Sequence, residues 1–249
     1  MTALNSLWSY PPANLLLSST DIHVWCAALD QPTADVAQLT TMLVPDERTR
    51  AARFYVERDR RRFIVGRGIL RAILSRYLRI EPRQVPLCYS PNGKPLLARG
   101  SAGPMLQFNL SHSDRFALYA FARERAIGID IEYIRPIPEA EQIAEAFFSA
   151  YERAVFRSIP AHKKAEAFFN CWTRKEAYIK AIGDGFARPL DRFDVSFAPG
   201  EQARLLNVEE DLDEPSRWSF HELVPVPGYV ATLVVEGHGG SLACWQWQQ

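Results

Sequence analysis

Residues 168–186 read FFNCWTRKEAYIKAIGDGF, and this stretch predicts a helix that the glycines of GDGF cap at its C-terminal end. One side of the helix is apolar and carries Phe168, Trp172, Ile179 and Ile182. Glu176 falls beside this apolar side, about 40° from Trp172 at about 100° per residue, and Lys180 follows one turn later. The two charges fit an i, i+4 pair at the rim of a core helix, but they also fit a polar site that the helix borders.

The composition is that of an ordinary globular protein. The chain has 249 residues, of which 47% are hydrophobic and 23% are charged. Its formal net charge is zero, so no overall field attracts it to nucleic acid or to an anionic membrane. Any anion that the protein binds must therefore be held by local positive charge.

The cysteines and the N-terminal segment bear on the cellular compartment. Cys26, Cys88, Cys171 and Cys244 are scattered without a C-x-x-C pair, and we interpret them as reduced core thiols. The first 20 residues contain no basic residue and only a three-leucine run, unlike a secretory signal or a transit peptide. No apolar stretch approaches the roughly 20 residues that span a bilayer. These features predict a cytoplasmic protein without a membrane segment.

The hydrophobic pattern of the first half predicts a strand at 20–29 and a long helix that begins at an Asp59 N-cap and ends near residue 78. Two short strands then flank the Pro-Asn-Gly turn of VPLCYSPNGKPLL. The stretch PMLQFNLSHSDRFALYAFA predicts a strand, a Ser/His loop and another strand.

The second half has a similar order of elements. A strand in RAIGIDIEYI precedes a helix near 139–157 and the helix that contains Glu176. Further strands are predicted in RPLDRFDVSF, WSFHELVPVPGYVATLVV and LACWQWQ. This order predicts an α+β chain with two lobes, and a site built from both lobes would lie in the cleft between them.

The strand IGIDIEYI carries two acidic side chains on one face. Period-2 alternation places Gly128, Asp130 and Glu132 together, with the two acidic Cα atoms about 6 to 7 Å apart. If this face of the strand is exposed to water, the repulsion between the two carboxylates is tolerated. A Mg²⁺ ion would instead turn the repulsion into ligation, and Glu176 would supply a third carboxylate.

Several side chains could bind phosphate near such a metal. Lys94 follows a turn glycine, and Ser111 and His112 lie near a strand end. The arginine candidates are Arg48, Arg50, Arg53, Arg67 and Arg71. Each candidate also has a purely structural interpretation. Lys94 would then be an ordinary turn lysine, His112 a structural histidine, and the arginines part of a solvated helix face. The sequence has no P-loop, no G-x-G-x-x-G motif and no nucleophile elbow.

From about residue 50 to 196, these segments resemble the 4′-phosphopantetheinyl transferase superfamily, in its longer two-lobed form that includes the surfactin-synthetase-activating enzyme. The segments that carry the resemblance are RFYVERD, GRGILR, NGKPLL, FNLSHS, IGIDIE, FFSAYE and FFNCWTRKEAYIKAIGDGF. The resemblance implies an α+β fold of two similar lobes related by a pseudo-twofold axis, each a small, mostly antiparallel sheet packed with helices. It assigns coenzyme A phosphate contacts to the N-terminal lobe, 1–125, and the metal site and catalytic helix to the C-terminal lobe, 126–249.

The resemblance also implies an activity and its residues. Enzymes of this family transfer the 4′-phosphopantetheine group of coenzyme A to a serine of an apo carrier protein and release adenosine 3′,5′-bisphosphate. The implied Mg²⁺ ligands are Asp130, Glu132 and Glu176. The implied coenzyme A contacts are Arg50, Lys94, Ser111 and His112, with Arg50 and His112 at the 3′-phosphate. Glu176 and Lys180 are the implied catalytic residues, and Glu152 matches a supporting carboxylate.

The expected partners are apo acyl or peptidyl carrier proteins, and neither nucleic acid nor a membrane is expected as a partner. A monomer is expected, because two lobes already form the cleft that smaller relatives assemble from two subunits. Two alternatives remain at this stage. One is a Mg²⁺-dependent hydrolase of coenzyme A or nucleotide phosphoanhydrides, and the other is a non-catalytic module that binds carrier proteins. The sequence does not identify which carrier or pathway is served.

Overall fold

The computed structural model describes residues 8–90, 93–98, 106–183 and 188–248. The fold is α+β, as the sequence predicted, and consists of small sheets packed with helices. Pro91 and Asn92 of the predicted turn, and Asp184, Gly185 and Phe186 of GDGF, lie outside the described residues.

The chain divides into two compact units. The first unit comprises Met1–Gln107, Arg115–Glu124 and Ser241–Gln249, and the second comprises Phe108–Asp114 and Arg125–Gly240. These units differ from the predicted lobes 1–125 and 126–249 by two exchanged segments and by Arg125, which belongs to the second unit. Residues 108–114 join the second unit because their side chains bond to its strand at 127–133. Residues 241–249 join the first unit because a strand there pairs with Ile22–Ala28.

The first unit is a sheet with helices and a separate hairpin. Its elements are β1 (Trp8–Ser9), β2 (Ile22–Ala28), α1 (Thr33–Met42), α2 (Pro45–Ala51), α3 (Glu57–Leu78), β3 (Leu87–Tyr89), β4 (Pro95–Leu97), β6 (Phe116–Arg123) and β12 (Leu242–Gln246). Strands β1, β12, β2 and β6 lie side by side in that order, and only the β2–β6 pair is antiparallel. Strands β3 and β4 form the hairpin predicted around the Pro-Asn-Gly turn.

The N-cap of helix α3 lies three residues earlier than predicted, at Val56. Asp59 is not its N-cap, because the carbonyl of Val56 already accepts hydrogen bonds from the backbone N–H groups of Asp59 and Arg60. Asp59 instead lies in the first turn, where a negative charge interacts favourably with the helix dipole.

The second unit surrounds one buried helix. Its elements are the end of β5 (Leu106–Ser113), β7 (Ile127–Tyr133), α4 (Ala140–Phe147), α5 (Ala150–Ser158), α6 (Lys164–Ile182), β8 (Phe193–Val195), β9 (Leu205–Val208), β10 (Trp218–Leu223) and β11 (Tyr229–Glu236). An antiparallel sheet has the order β10-β11-β7, and α6 packs against β7 and β11. Helix α6 ends at Gly183, whose φ of 79° gives the predicted glycine C-cap.

Two element predictions in this region were wrong. The single helix near 139–157 is two helices, because Ser149 accepts a hydrogen bond from the Glu152 N–H and starts α5 with a capping box. The predicted Ser/His loop is part of β5, which continues to Ser113. The chain turns only afterwards, where Asp114 has a φ of 44°.

No helix in the described ranges is long and apolar enough to cross a membrane. All four cysteines are free thiols, and three of them are buried. Cys88 is only partly buried, so the prediction of core thiols is confirmed for the other three.

Candidate active site

Helix α6 has one open edge. Between residues 167 and 181, only Trp172, Glu176 and Lys180 are not buried, and they follow one another at intervals of four residues. Residues four apart lie on the same side of a helix. The charges that interrupt the apolar pattern therefore face a common opening, rather than the outer surface of a core helix.

The glycine of IGIDIEYI allows α6 to lie directly on β7. A Cβ atom at Gly128 would lie 2.0 Å from the Ala177 carbonyl oxygen and 2.4 Å from the Ala181 nitrogen. No real side chain fits at such distances. The absence of a side chain at Gly128 therefore lets the helix approach the strand closely enough for Lys180 to contact Asp130.

Lys180, Asp130 and Ser111 form a hydrogen-bonded group at this junction. The Lys180 ammonium lies 2.6 Å from Asp130 Oδ1 and 3.1 Å from Ser111 Oγ. The Ser111 hydroxyl donates to the same Asp130 oxygen at 2.7 Å. Asp130 is buried, so this contact is shielded from water and stronger than a surface ion pair.

Glu132 is oriented by Ser113, the last residue of strand β5. Ser113 donates from its hydroxyl to Glu132 Oε2 at 2.7 Å, and the same hydroxyl oxygen accepts the backbone N–H of Tyr133 at 3.1 Å. Arg135 lies 3.7 Å from the same carboxylate oxygen. The two serines of NLSHS thus each hold one of the two acidic side chains of β7.

The site raises the pKa values of two of its carboxyl groups. Burial is the main cause of the raised pKa of Glu176; Lys180 opposes this shift, and the negative charges of Asp130 and Glu132 add to it. Burial also raises the pKa of Glu132, against the Ser113 hydrogen bond. A concentration of buried negative charge of this kind favours the binding of a cation.

The predicted metal ligands fit Mg²⁺ in their chemistry. All three are carboxylates, which are hard oxygen donors. Asp130 Oδ2 is buried and accepts no hydrogen bond from the residues that the structure describes. Across those residues, however, no three histidine, cysteine, aspartate or glutamate side chains already form a metal-binding cluster. The Asp130 carboxylate is paired with Lys180 instead, so cation binding requires Lys180 to share or leave this position.

Six of the eight predicted site residues line one cavity. Its volume is about 740 Å³, and its lining includes Ser111, His112, Asp130, Glu132, Glu176 and Lys180. Among the residues that the structure describes, those that line this cavity all belong to the second unit.

The other two predicted residues, Arg50 and Lys94, belong to the first unit. Arg50 lines a cavity of about 730 Å³ within that unit, and its guanidinium carbon lies 5.9 Å from the centre of the Tyr89 ring. Lys94 is partly buried and follows Gly93, whose φ of 76° confirms the tight turn. The contacts of Arg50 and Lys94 with coenzyme A remain predictions.

One of the arginine candidates has a structural role. Arg71 is buried, and its Nε lies 2.6 Å from the buried carboxylate of Glu47. It also donates to the backbone carbonyls of Pro82 and Val85. These contacts hold α2, α3 and the segment before β3 together, so they explain Arg71 without a ligand.

The sequence did not reveal a buried ion pair behind the cavity. Lys175 and Glu152 are both fully buried, with 2.7 Å between Lys175 Nζ and Glu152 Oε2. Lys175 also donates to the carbonyls of Leu190 and Phe193, and Leu190 lines the cavity. The pair thus links α5 and α6 to the cavity wall. The capping-box pattern of SAYE at 149–152 was a signal that Glu152 points back at its own helix.

Comparisons with known proteins show the family to which the chain belongs. A family model described as the 4′-phosphopantetheinyl transferase superfamily matches residues 126–234, and a model of the N-terminal region of 4′-phosphopantetheinyl transferases matches 30–124. The 4′-phosphopantetheinyl transferase HetI of a Nostoc strain is 43% identical over 98% of this chain and 100% of its own length. The chain belongs to the 4′-phosphopantetheinyl transferase superfamily. It is therefore an enzyme of the transferase class.

Two other members of the superfamily are also similar. The 4′-phosphopantetheinyl transferase Sfp of Bacillus subtilis is 32% identical over 62% of this chain and 66% of its own length. The human L-aminoadipate-semialdehyde dehydrogenase-phosphopantetheinyl transferase is 30% identical over 72% of this chain and 62% of its own length. The longer type of phosphopantetheinyl transferase that the motifs predicted is thereby confirmed.

Proposed function

We propose that the protein transfers the 4′-phosphopantetheine group of coenzyme A to a serine of an apo acyl or peptidyl carrier protein. The products are holo carrier protein and adenosine 3′,5′-bisphosphate. One observation carries this proposal: Lys180 of α6 contacts Asp130 of β7 at 2.6 Å, inside a cavity that Glu132 and Glu176 also line, in a chain of this superfamily.

Asp130, Glu132 and Glu176 would hold one Mg²⁺ ion. When bound, the ion would offset negative charge on the diphosphate of coenzyme A. The support for this set is the chemistry of three carboxylates around one cavity and the buried Asp130 oxygen without a hydrogen bond among the described residues.

Glu176 is our candidate for the general base. In the reaction, the serine oxygen forms a bond to the phosphorus that bears the pantetheine arm, and the bond from that phosphorus to the bridging oxygen breaks. The serine proton has to leave as this happens. Glu176 lines the cavity, and its raised pKa makes it a stronger base than an ordinary glutamate.

Lys180 is our candidate for the group that stabilises the leaving oxygen. The bridging oxygen departs with adenosine 3′,5′-bisphosphate and gains negative charge. An ammonium group at this position neutralises that charge, and positioned charges supply most of the catalysis of phosphoryl transfer. The contact with Asp130 directs Lys180 into the site.

The coenzyme contacts of the flanking residues are also part of the proposal. His112 is exposed and lines the cavity, and we assign it to the 3′-phosphate together with Arg50. Lys94 would contact a phosphate from its turn. Ser111 donates to Asp130 in this structure, and a rotation of its hydroxyl would direct it to a phosphate oxygen.

We infer that the enzyme acts as a monomer in the cytoplasm. Four cysteines that are all free thiols fit a reducing compartment. Sedimentation at micromolar concentration tests the oligomeric state, and an obligate trimer would contradict the inference.

The decisive experiment is incubation of the protein with coenzyme A, Mg²⁺ and a panel of apo carrier proteins, followed by intact mass measurement. We expect at least one carrier to gain the mass of one phosphopantetheine group. Cleavage of coenzyme A with no carrier modified would show a hydrolase instead. Carrier binding without cleavage of coenzyme A would show a non-catalytic module.

A further inference from the structure

The net charge of zero is unevenly divided between the two units. The first unit contains 16 lysine and arginine residues against 9 aspartate and glutamate residues, a net charge of +7. The second unit contains 13 against 20, a net charge of −7. The expectation that no membrane binds rested on the charge of the whole chain. The first unit by itself is strongly basic, so an anionic surface attracts it.

Much of this positive charge lies in one short segment. Residues 48–61, RTRAARFYVERDRR, contain six arginines and two acidic residues, a net charge of +4. The two acidic residues are paired within the segment, Glu57 with Arg60 at 2.7 Å and Asp59 with Arg58 at 3.2 Å. Five of the six arginines are exposed to solvent. The segment therefore presents a concentrated positive charge at the surface of the first unit.

The centre of this segment also exposes three apolar side chains. Phe54, Tyr55 and Val56 follow one another between the end of α2 at Ala51 and the start of α3 at Glu57. Phe54 is 38% exposed, Val56 is 52% exposed and Tyr55 is 104% exposed. Single exposed apolar side chains are common, but three in succession within a basic segment are typical of an interaction surface.

The turn between α2 and α3 has a defined shape. The backbone N–H of Arg53 donates to the carbonyl of Arg50 at 3.1 Å, and that of Phe54 donates to the carbonyl of Ala51 at 3.3 Å. The rings of Phe54 and Phe63 pack with their centres 5.3 Å apart. The apolar side chains therefore project from an ordered turn, and little backbone freedom is lost when they bind a partner.

We propose that the turn between α2 and α3 docks the protein on an anionic lipid surface. Phe54, Tyr55 and Val56 would enter the boundary between headgroups and acyl chains, and the flanking arginines would contact lipid phosphates. Tyrosine is enriched at this boundary, because its ring is apolar and its hydroxyl reaches water. This inference goes beyond the proposed function and does not depend on it.

A lipid surface fits this turn better than a small ligand or an acidic protein. A small ligand needs a concave site, whereas Tyr55 projects from the surface with its whole side chain exposed. A stable protein partner covers about 800 Å² on each side, and three side chains at one turn supply only part of such an area. A fluid lipid surface needs no matching shape, and each basic group close to it adds to binding.

The test measures binding of the full-length protein to lipid vesicles by co-sedimentation. Vesicles of phosphatidylcholine with about one-third phosphatidylserine are compared with vesicles of phosphatidylcholine alone. The variants of the turn are Tyr55→Ser, Tyr55→Trp and the double variant Arg58→Gln with Arg60→Gln. Melting curves of all variants establish that they are folded.

The matched controls lie at the other end of α3, a helix of 22 residues that extends about 33 Å. A double variant, Arg79→Gln with Arg83→Gln, removes two exposed arginines just beyond this end. Tyr10→Ser removes a tyrosine that is 63% exposed. Tyr10 lies two residues before Pro12, whose carbonyl accepts a hydrogen bond from Arg76 in the last turn of α3.

We expect the wild type to bind the anionic vesicles at least about tenfold more tightly than phosphatidylcholine alone. Tyr55→Ser should weaken binding to the anionic vesicles about fivefold, and the double variant of Arg58 and Arg60 about tenfold or more. Tyr55→Trp should bind at least as tightly as the wild type. Both controls should change binding by less than about twofold.

Several results would overturn the proposal. The wild type might not bind the anionic vesicles, or the controls at the far end of α3 might lose as much binding as the variants of the turn. Unchanged binding of Tyr55→Ser would show that the turn does not enter the lipid. Release from the vesicles by poly-L-glutamate or poly(dT), at an equal concentration of negative charge, would assign the arginines to an acidic protein or to nucleic acid.

Carrier modification in solution separates this inference from the proposed function. Tyr55→Ser should modify a carrier with the wild-type KM, and a raised KM with unchanged vesicle binding would assign the turn to carrier docking instead. Failure of the proposed function has a different signature. In that case the wild type modifies no carrier, while its binding to anionic vesicles and the loss in Tyr55→Ser are still observed.

Discussion

A Cβ atom on Gly128 would lie 2.0 Å from the carbonyl oxygen of Ala177, so strand β7 and helix α6 are in contact through their backbones. This contact sets the distance between the carboxylates of the strand and the charged edge of the helix. The position tolerates no side chain, because the obstructing atoms are backbone atoms that cannot rotate away.

We therefore expect Gly128→Ala to lower the free energy of unfolding by about 3 kcal/mol or more. Urea unfolding measures this. Gly66→Ala is the control, because a Cβ atom there meets its nearest neighbours at an ordinary 3.6 Å. Gly66 lies within helix α3, so alanine should leave the stability unchanged or raise it by up to about 1 kcal/mol. Equal losses in both variants would show that the close backbone contact is not the cause.

Glu176→Gln should fold normally and lose transfer activity by about 10²- to 10⁴-fold, because it removes both the proposed base and a proposed metal ligand. The measurement is kcat for carrier modification by intact mass, together with the melting temperature. Glu166→Gln makes the same change at an exposed position of the same helix and should behave like the wild type. Turnover of Glu176→Gln near the wild-type rate would refute the assignment.

Lys180→Met should affect metal binding and catalysis in opposite directions. The Lys180 ammonium lies 2.6 Å from Asp130 Oδ1 and repels any cation that approaches this carboxylate. Without coenzyme A, the variant should bind Mn²⁺ about tenfold more tightly, as measured by electron paramagnetic resonance, while its transfer rate falls at least about 100-fold. Lys164→Met, at the start of the same helix, should change neither value. Weaker Mn²⁺ binding by Lys180→Met would show that Lys180 does not compete with the metal.

His112→Ala should weaken coenzyme A much more than 3′-dephospho-coenzyme A. The reason is that the proposed partner of His112, the 3′-phosphate, is missing from the second ligand. We expect a loss of about tenfold or more for coenzyme A and little change for the dephosphorylated form. Equal losses for both ligands would remove His112 from the 3′-phosphate.

His23 should make the first unit less stable at mildly acidic pH. Burial lowers its pKa, against a smaller effect of Asp21. The Trp25 indole donates to Tyr77 Oη at 3.0 Å, and His23 Nδ1 lies 2.8 Å from the same hydroxyl, where a neutral imidazole can accept the hydroxyl proton.

The unfolded chain therefore binds the His23 proton more readily than the folded chain. Stability due to His23 is constant above about pH 7.5 and falls as the pH decreases through about 6.5. In urea unfolding between about pH 7.5 and 5.5, His23→Gln should show a smaller loss of stability than the wild type. His162→Gln, at an exposed position, should keep the wild-type pH dependence. An unchanged slope in His23→Gln would contradict the prediction.

The parts of the site that depend on local periodicity could be predicted from the sequence. Alternation along β7 placed Asp130 and Glu132 together, and the four-residue spacing on α6 placed Glu176 and Lys180 on one edge of the helix. That this edge meets the β7 carboxylates was implied by the family resemblance and not by periodicity. These patterns hold because a strand and a helix each fix the direction of their own side chains.

Features that depend on distant segments could not be predicted in this way. Periodicity assigns no partner to Lys175, and only the folded chain shows that it pairs with Glu152, more than 20 residues away. Likewise, the polar run Ser111, His112 and Ser113 predicted a loop. It is a strand because Asp130 and Glu132 accept hydrogen bonds from its two serines, which compensates for their burial.

Strand β12 lies between β1 and β2 in the first unit, although it is the last strand of the chain. The ribosome therefore releases β1 and β2 long before the strand that joins them exists. All residues of the second unit are synthesised before this sheet can be completed. Folding during synthesis is then expected to finish in the first unit only after residue 246 has left the exit tunnel, and a nascent chain stalled earlier would expose the β2 edge to chaperones or to aggregation.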